Sequence, residues 1–165
     1  MKVFISGSRS ITELNDDITS RLYSELNSDA NILVGDAAGI DSEVQKFCKI
    51  NGYMNVTVFA MNGKARNNLG GFNVINILPG DAFNRNFFVE KDKAMTDLAD
   101  YGIVIWDGKS KGSLDNIYRL VRQNKLCQVY LMPEKKWITV EDDNFRYDKA
   151  ANYSYTAMQL SMLNI

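Results

Sequence analysis

Short apolar runs rich in β-branched residues alternate with stretches of helical period from the start of the chain to about residue 132. Val3-Phe4-Ile5 is the first run, and it stops at Gly7. Ile18, Leu22 and Leu26 then recur at four-residue spacing, which predicts a helix from about Asn15. Ile32-Leu33-Val34, closed by Gly35, predicts a second strand; Val44, Phe47 and Cys48 mark the inward face of a helix from about Asp41. Residues 56–59 read as a third strand. The polar, Asn- and Gly-rich stretch 62–71 that follows is expected to be a lid or a mobile insertion. Residues 74–78 predict another strand, stopped by Pro79-Gly80, and residues 84–100 the longest helix. Gly102-Ile103-Val104-Ile105-Trp106, a helix from Ser113 to about Asn124 and a strand over 128–132 complete the alternation.

Strand and helix patterns in this order are the signature of βαβ units, so the fold class expected is α/β: a Rossmann-like, mostly parallel sheet sandwiched by helices. Residues 137–140 and 145–147 are expected to pair as a hairpin around the polar segment 141–144, followed by a short terminal helix. The organisation is thus one domain over 1–165, with a core over 1–132 and a small C-terminal appendage over 133–165. A chain of 165 residues, 45% of them hydrophobic, is long enough to bury roughly 70% of its unfolded surface.

Charge and composition narrow the chemistry. Nineteen basic against twenty acidic side chains give a net charge of −1, so no overall positive field draws the chain to nucleic-acid phosphates. Histidine is absent, which removes Ser-His-Asp and Cys-His catalysis and imidazole metal sites. No metal site and no cofactor is assigned. Cys48 and Cys127, each within an apolar segment, read as buried free thiols of a cytoplasmic protein. The apolar run at the N-terminus is too short for a signal peptide, and nothing approaches the ~18 continuous apolar residues of a membrane span.

Three strand-to-helix junctions carry the candidate chemistry. In an open parallel sheet such junctions emerge at one carboxyl edge, where ligands bind. The first is Gly7-Ser8-Arg9-Ser10: glycine permits close backbone approach, hydroxyls donate, and the Arg9 guanidinium matches a phosphate. The second, Gly35-Asp36-Ala37-Ala38-Gly39-Ile40-Asp41, leads small residues into a helix N-terminus that favours an anion, with Asp41 at an N-cap position. Asp36, a carboxylate beside glycine at a strand end, is placed to meet a ribose hydroxyl or a base edge. The third, Asp107-Gly108-Lys109-Ser110-Lys111-Gly112-Ser113, has the composition of a phosphate cradle without the order of a Walker motif. Ordinary turns and caps account for each junction singly; their convergence argues for a site. Phe88, Asp92, Met95 and Ala99 share one helix face, with Asp92 interrupting the stripe, and Arg85 just upstream is a further anion contact.

Taken together these junctions resemble the SLOG superfamily, the Rossmann-like group that includes the DNA-processing protein DprA and the Lonely Guy, or lysine-decarboxylase-like, phosphoribohydrolases. Gly7-Ser8-Arg9 and Val34-Gly35-Asp36-Ala37-Ala38-Gly39-Ile40-Asp41 look like the DprA-type Gly-Ser-Arg and Ser-Gly-x-Ala-x-Gly-Ile-Asp signatures, and Gly112-Ser113 like the late Gly-Thr loop. The likeness spans roughly residues 1–132. It implies a nucleotide-like ligand at the carboxyl edge and frequent homodimerisation. Against the Lonely Guy pattern the chain departs twice. Asn116 stands where the catalytic Glu of Pro-Gly-Gly-x-Gly-Thr-x-x-Glu falls, and Lys91 and Asp92 stand where the Arg and Lys of Met-His-x-Arg-Lys-x-x-Met fall.

The function expected is therefore binding of a nucleotide or nucleotide-derived small molecule by a sensor-type domain. Hydrolysis of a nucleotide N-glycosidic bond is the enzymatic alternative, with Asp92, Asp115, Glu90 or Lys91 as the groups available to catalysis. Single-stranded DNA binding is the third, through a local patch of Arg9, Lys64, Arg66, Lys109 and Lys111.

Overall fold

Alternation of buried side chains along each strand explains how one sheet comes to carry helices on both faces. In the first strand, β1 (Lys2–Gly7), Val3 and Ile5 pack into one core while Phe4 packs into the other. The same split recurs in β2 (Asn31–Val34), where Ile32 and Val34 oppose Leu33, and in β5 (Tyr101–Trp106), where Ile103 and Ile105 oppose Val104 and Trp106. Strands buried on both faces need continuous apolar runs, which is what these segments have. Helices α1 (Asp16–Asn27) and α2 (Ile40–Ile50) cover the first core with Ile18, Leu22 and Val44. Helices α3 (Phe87–Leu98) and α4 (Lys111–Arg122) cover the second with Met95, Ile117 and Leu120. The computed structural model describes residues 1–78, 87–148 and 153–155.

The remaining strands are β3 (Val56–Met61), β4 (Asn73–Ile77), β6 (Cys127–Leu131) and β7 (Lys136–Val140), with a separate pair β8 (Arg146–Asp148) and β9 (Tyr153–Tyr155). The main sheet runs β4-β3-β2-β1-β5-β6-β7. All neighbours are parallel except β6 and β7. The fold is thus the α/β, Rossmann-like architecture expected, and its strand order reverses between β1 and β5. That reversal opens a crevice at the carboxyl ends of those two strands.

Two expectations need correction. Residues 137–140 do not pair with 145–147. They form β7, which folds back on β6 through a tight turn in which Lys135, at φ 50°, donates to the Met132 carbonyl, so the sheet runs on to Val140. The hairpin partner of β8 is β9. The helix expected over 84–100 is α3, which ends at Leu98; residues 84–86 lie outside the described residues. The terminal helix lies outside the described residues. The polar stretch 62–71 is pinned, not loose. Buried Gln45 donates to the carbonyls of Gly35 and Asn67 and accepts from the Leu69 amide, and Asn68 exchanges two hydrogen bonds with the Phe72 backbone.

The start of α2 is seated by glycine alone. Gly39 is the N-cap, with φ 80° and no side-chain cap, and a Cβ there would lie 2.6 Å from the carbonyl oxygens of both Ser8 and Arg9. Helix and first junction therefore touch backbone to backbone, and the Ile40 amide donates to the Ser8 carbonyl. Gly39→Ala combines a positive φ with this collision and is expected to cost about 2 kcal/mol or more in urea unfolding. A loss under about 0.5 kcal/mol, the scale of an ordinary surface change, would contradict it.

Candidate functional site

The crevice between β1 and β5 is a cleft of about 380 Å³, the size that holds one small molecule. The first junction contributes Gly7, Arg9 and Ser10, the second Ala37 and Asp41, and the third Asp107, Ser110, Gly112 and Ser113. Helix α3 adds Phe88, Lys91, Asp92 and Met95, and Ser6 and Asn116 complete the floor. All three junctions expected to converge do so.

The first and third junctions are stitched together. Ser8 is fully buried; its amide donates to the Ile105 carbonyl and its hydroxyl accepts from the Asp107 amide. The hydroxyl of Ser10 donates to Asp107 at 2.7 Å. Asp107 also accepts from the amides of Lys109 and Ser110, which closes a tight turn. Burial opposes its ionisation, but these hydrogen bonds prevail and hold its carboxyl below the usual range. Ser110, not Ser113, caps α4, accepting from the Ser113 amide, and Gly112 stands open at the first helical turn, where an added Cβ would meet nothing within 4 Å. Arg9 is exposed beside this turn and has no ion pair among the described residues.

The second junction is organised around a charge cluster that lies partly behind the cleft. Asp36 is 2% exposed and takes Lys91 Nζ at 2.9 Å and Arg66 Nη2 at 2.7 Å on one oxygen, with the Arg66 amide on the other. Desolvation alone would raise this carboxyl; the hydrogen bonds of Arg66 and Lys91 outweigh it and hold it well below the carboxylate range. Asp41 has no ion pair among the described residues. It is the second residue of α2 rather than its cap, its oxygen accepts from the Ala37 amide at 3.1 Å, and burial pushes its carboxyl up to about 6 against the pull of Lys91. Burial likewise raises Asp92, opposed by Lys91, Arg119, an Asn116 hydrogen bond and Arg9.

Several expected site residues stand elsewhere. Asp36 does not line the cleft, so the expectation that it reads a sugar or base gives way to a supporting role: it fixes Lys91 and Arg66. Gly35, Gly39 and Ser8 are packing positions behind the walls. Gly108, at φ 76°, lies under the Tyr147 ring, Lys109 is exposed outside the lining, and half-buried Asp115 does not reach it. Arg85 lies outside the described residues. Lys91, expected as a group available to catalysis, reaches the cleft lining but is buried in an ion pair with Asp36. Phe88, Met95 and Asn116 were visible as helical neighbours of Asp92 and Ser113, but Ser6 carried no signal, since it reads as strand interior.

Fold and site together define a Rossmann-like α/β domain with one polar cleft at its topological switch point. No protein-family model matches the chain, and no curated protein matches it. Among the described residues no helix is long and apolar enough to cross a membrane, and no acidic or cysteine cluster is arranged to hold a metal.

Asp36 and Asp41 answer pH in opposite senses. Asp36, ionised more easily folded than unfolded, contributes stability above the ordinary carboxylate pKa that is lost as pH falls through and below it. Asp41, ionised less easily folded, loses stability as pH rises from about 4 to 6. Lys91→Met is therefore expected to cost about 3–5 kcal/mol near neutrality, the scale of a buried pair broken from one side. Asp41→Asn is expected to gain on the wild type by up to about 3 kcal/mol between pH 4 and 7. Denaturant unfolding across that range measures both, and parallel wild-type and Asp41→Asn curves would contradict the second.

Proposed function

We propose that the domain binds a nucleotide or nucleotide-derived small molecule in the cleft between β1 and β5, as a sensor or binding module of SLOG type. The observation that carries this reading is the meeting of Arg9, the Ser10–Asp107 link and the open first turn of α4 at one end of the cleft. A helix N-terminus, a guanidinium with no ion pair among the described residues and a glycine without a side chain in the way are the parts of an anion seat. Phe88 and Met95 add apolar surface along one wall and Asp92 and Asn116 add polar groups, which suits a ligand that joins a phosphate to a sugar and a ring. A cytoplasmic setting and homodimerisation belong to the same proposal, the first from the two buried thiols and the second from the resemblance. Isothermal titration with AMP is expected to give saturable heat, and Arg9→Ala to weaken it about tenfold. No heat with AMP, NAD or ADP-ribose would sink the reading.

One observation favours a second reading, hydrolysis of the N-glycosidic bond. Asp92 is a cleft carboxyl raised by burial, within hydrogen-bond reach of Asn116, and a carboxyl so raised suits the general acid that protonates a departing base as the glycosidic bond breaks. Incubation with nucleoside monophosphates would then release free base. Asp92→Asn is expected to slow the release by about 100-fold or more, and Asp115→Asn, outside the lining, to leave it unchanged. Absence of free base retains binding alone.

A further inference from the structure

Among the described residues, the ionisable groups that line the cleft are Arg9 and Lys91 against Asp41, Asp92 and Asp107. Lys91 is already engaged: its ammonium lies 2.9 Å from Asp36, which stands behind the wall. Asp107 is held ionised by the hydroxyl and amides that donate to it. An anionic ligand entering beside Arg9 therefore meets a floor whose carboxylates outnumber its free cations, and a like charge a few ångströms away in a partly desolvated site is costly. The two carboxyls able to relieve this are Asp41 and Asp92, neither of which has an ion pair among the described residues.

Their surroundings are crowded with charge. Asp41 faces Lys91 and Asp92 from α3 and Asp36 from the second junction, with the Ala37 amide its one donor among the described residues. Asp92 faces Arg119 and Asn116 from α4 and Arg9 from the first junction, besides Lys91 on its own helix. Gly35 records how closely the groups meet: a Cβ there would lie 3.1 Å from both the Asp41 carboxyl carbon and the Lys91 ammonium. One ammonium thus serves Asp36 by direct contact and Asp41 at longer range, leaving Asp41 as the carboxyl with least compensation.

We infer that an anion binds this cleft together with a proton, taken from solvent by the Asp41 and Asp92 carboxyl groups, so that affinity rises as pH falls. This rests on the nucleotide reading above. The raised carboxyl of Asp41 agrees with it, because such a group is the first to accept a proton when negative charge arrives. Linkage makes the effect reciprocal: the ligand raises proton affinity by the factor by which the proton raises ligand affinity.

The probe must not titrate in the same range, which excludes a phosphate monoester alone. Adenosine 5′-sulfate keeps one negative charge between pH 5.5 and 8, and adenosine serves as the uncharged control. Calorimetry on the wild-type protein at pH 6.5, in two buffers of different ionisation enthalpy, is expected to register uptake of roughly half a proton or more per adenosine 5′-sulfate bound. Affinity for it should rise several-fold per pH unit from pH 8 to 6, within the tenfold limit of one coupled proton, while adenosine affinity stays level. Asp41→Asn should flatten the profile, and Asp92→Asn should reduce its slope. Binding of the sulfate with no proton uptake and a level profile would overturn the coupling and leave the nucleotide reading standing. Binding of neither the sulfate nor AMP at any pH would overturn both.

Discussion

The contact between Lys91 and Asp36 is the constraint on which the rest of the site depends. Two charges buried beyond the reach of water are tolerated only if each satisfies the other and the remaining lone pairs are filled. Asp36 fills them with Arg66, whose backbone and side chain both donate, and its own carbonyl accepts from Asn67. One carboxylate at the end of β2 therefore fixes α3 through Lys91 and the 62–71 segment through Arg66. The cleft wall that α3 presents, from Phe88 through Asp92 to Met95, is held at its register by that pair, and the Arg66 guanidinium lies 4.5 Å above the Phe88 ring on the same side.

The sheet and its helices were legible because burial on two faces leaves a strong trace. Val3, Phe4 and Ile5 are apolar in succession since each faces a helix layer, and no such run survives in β4, an edge strand whose Val74 and Ile75 are more than a third exposed. Glycine at strand ends was equally readable, because close approach of junction to junction excludes a side chain, as at Gly7. The pairing of β7 was not. Residues 136–140 can form a hairpin in either direction, and the choice rests on the turn at Lys135 and on Trp137 packing edge-on against Tyr130, neither of which local pattern reports.

Charged residues were legible as members of the site and not as to role. Asp36 and Asp41 lie in one loop-to-helix segment with similar flanking residues, yet one is the most tightly compensated carboxylate of the cluster and the other the least. The difference comes from Lys91 and Arg66, distant in sequence and brought in by α3 and by a loop pinned through Gln45. Side-chain chemistry at a site is set by such long-range partners, while residue type and spacing identify only which loops contribute.

The same partners set a limit on what the cleft accepts. Arg9 and the open first turn of α4 lie at the first and third junctions, whereas the floor is acidic because Lys91 is spent on its ion pair with Asp36. Removing Asp36 would free that ammonium for a ligand and would at the same time release the helix and loop that shape the wall. Rigidity and charge balance thus compete for a single lysine. The fold resolves the competition in favour of rigidity, and the cleft is left with Asp41, a carboxyl without an ion pair among the described residues, whose ionisation burial opposes.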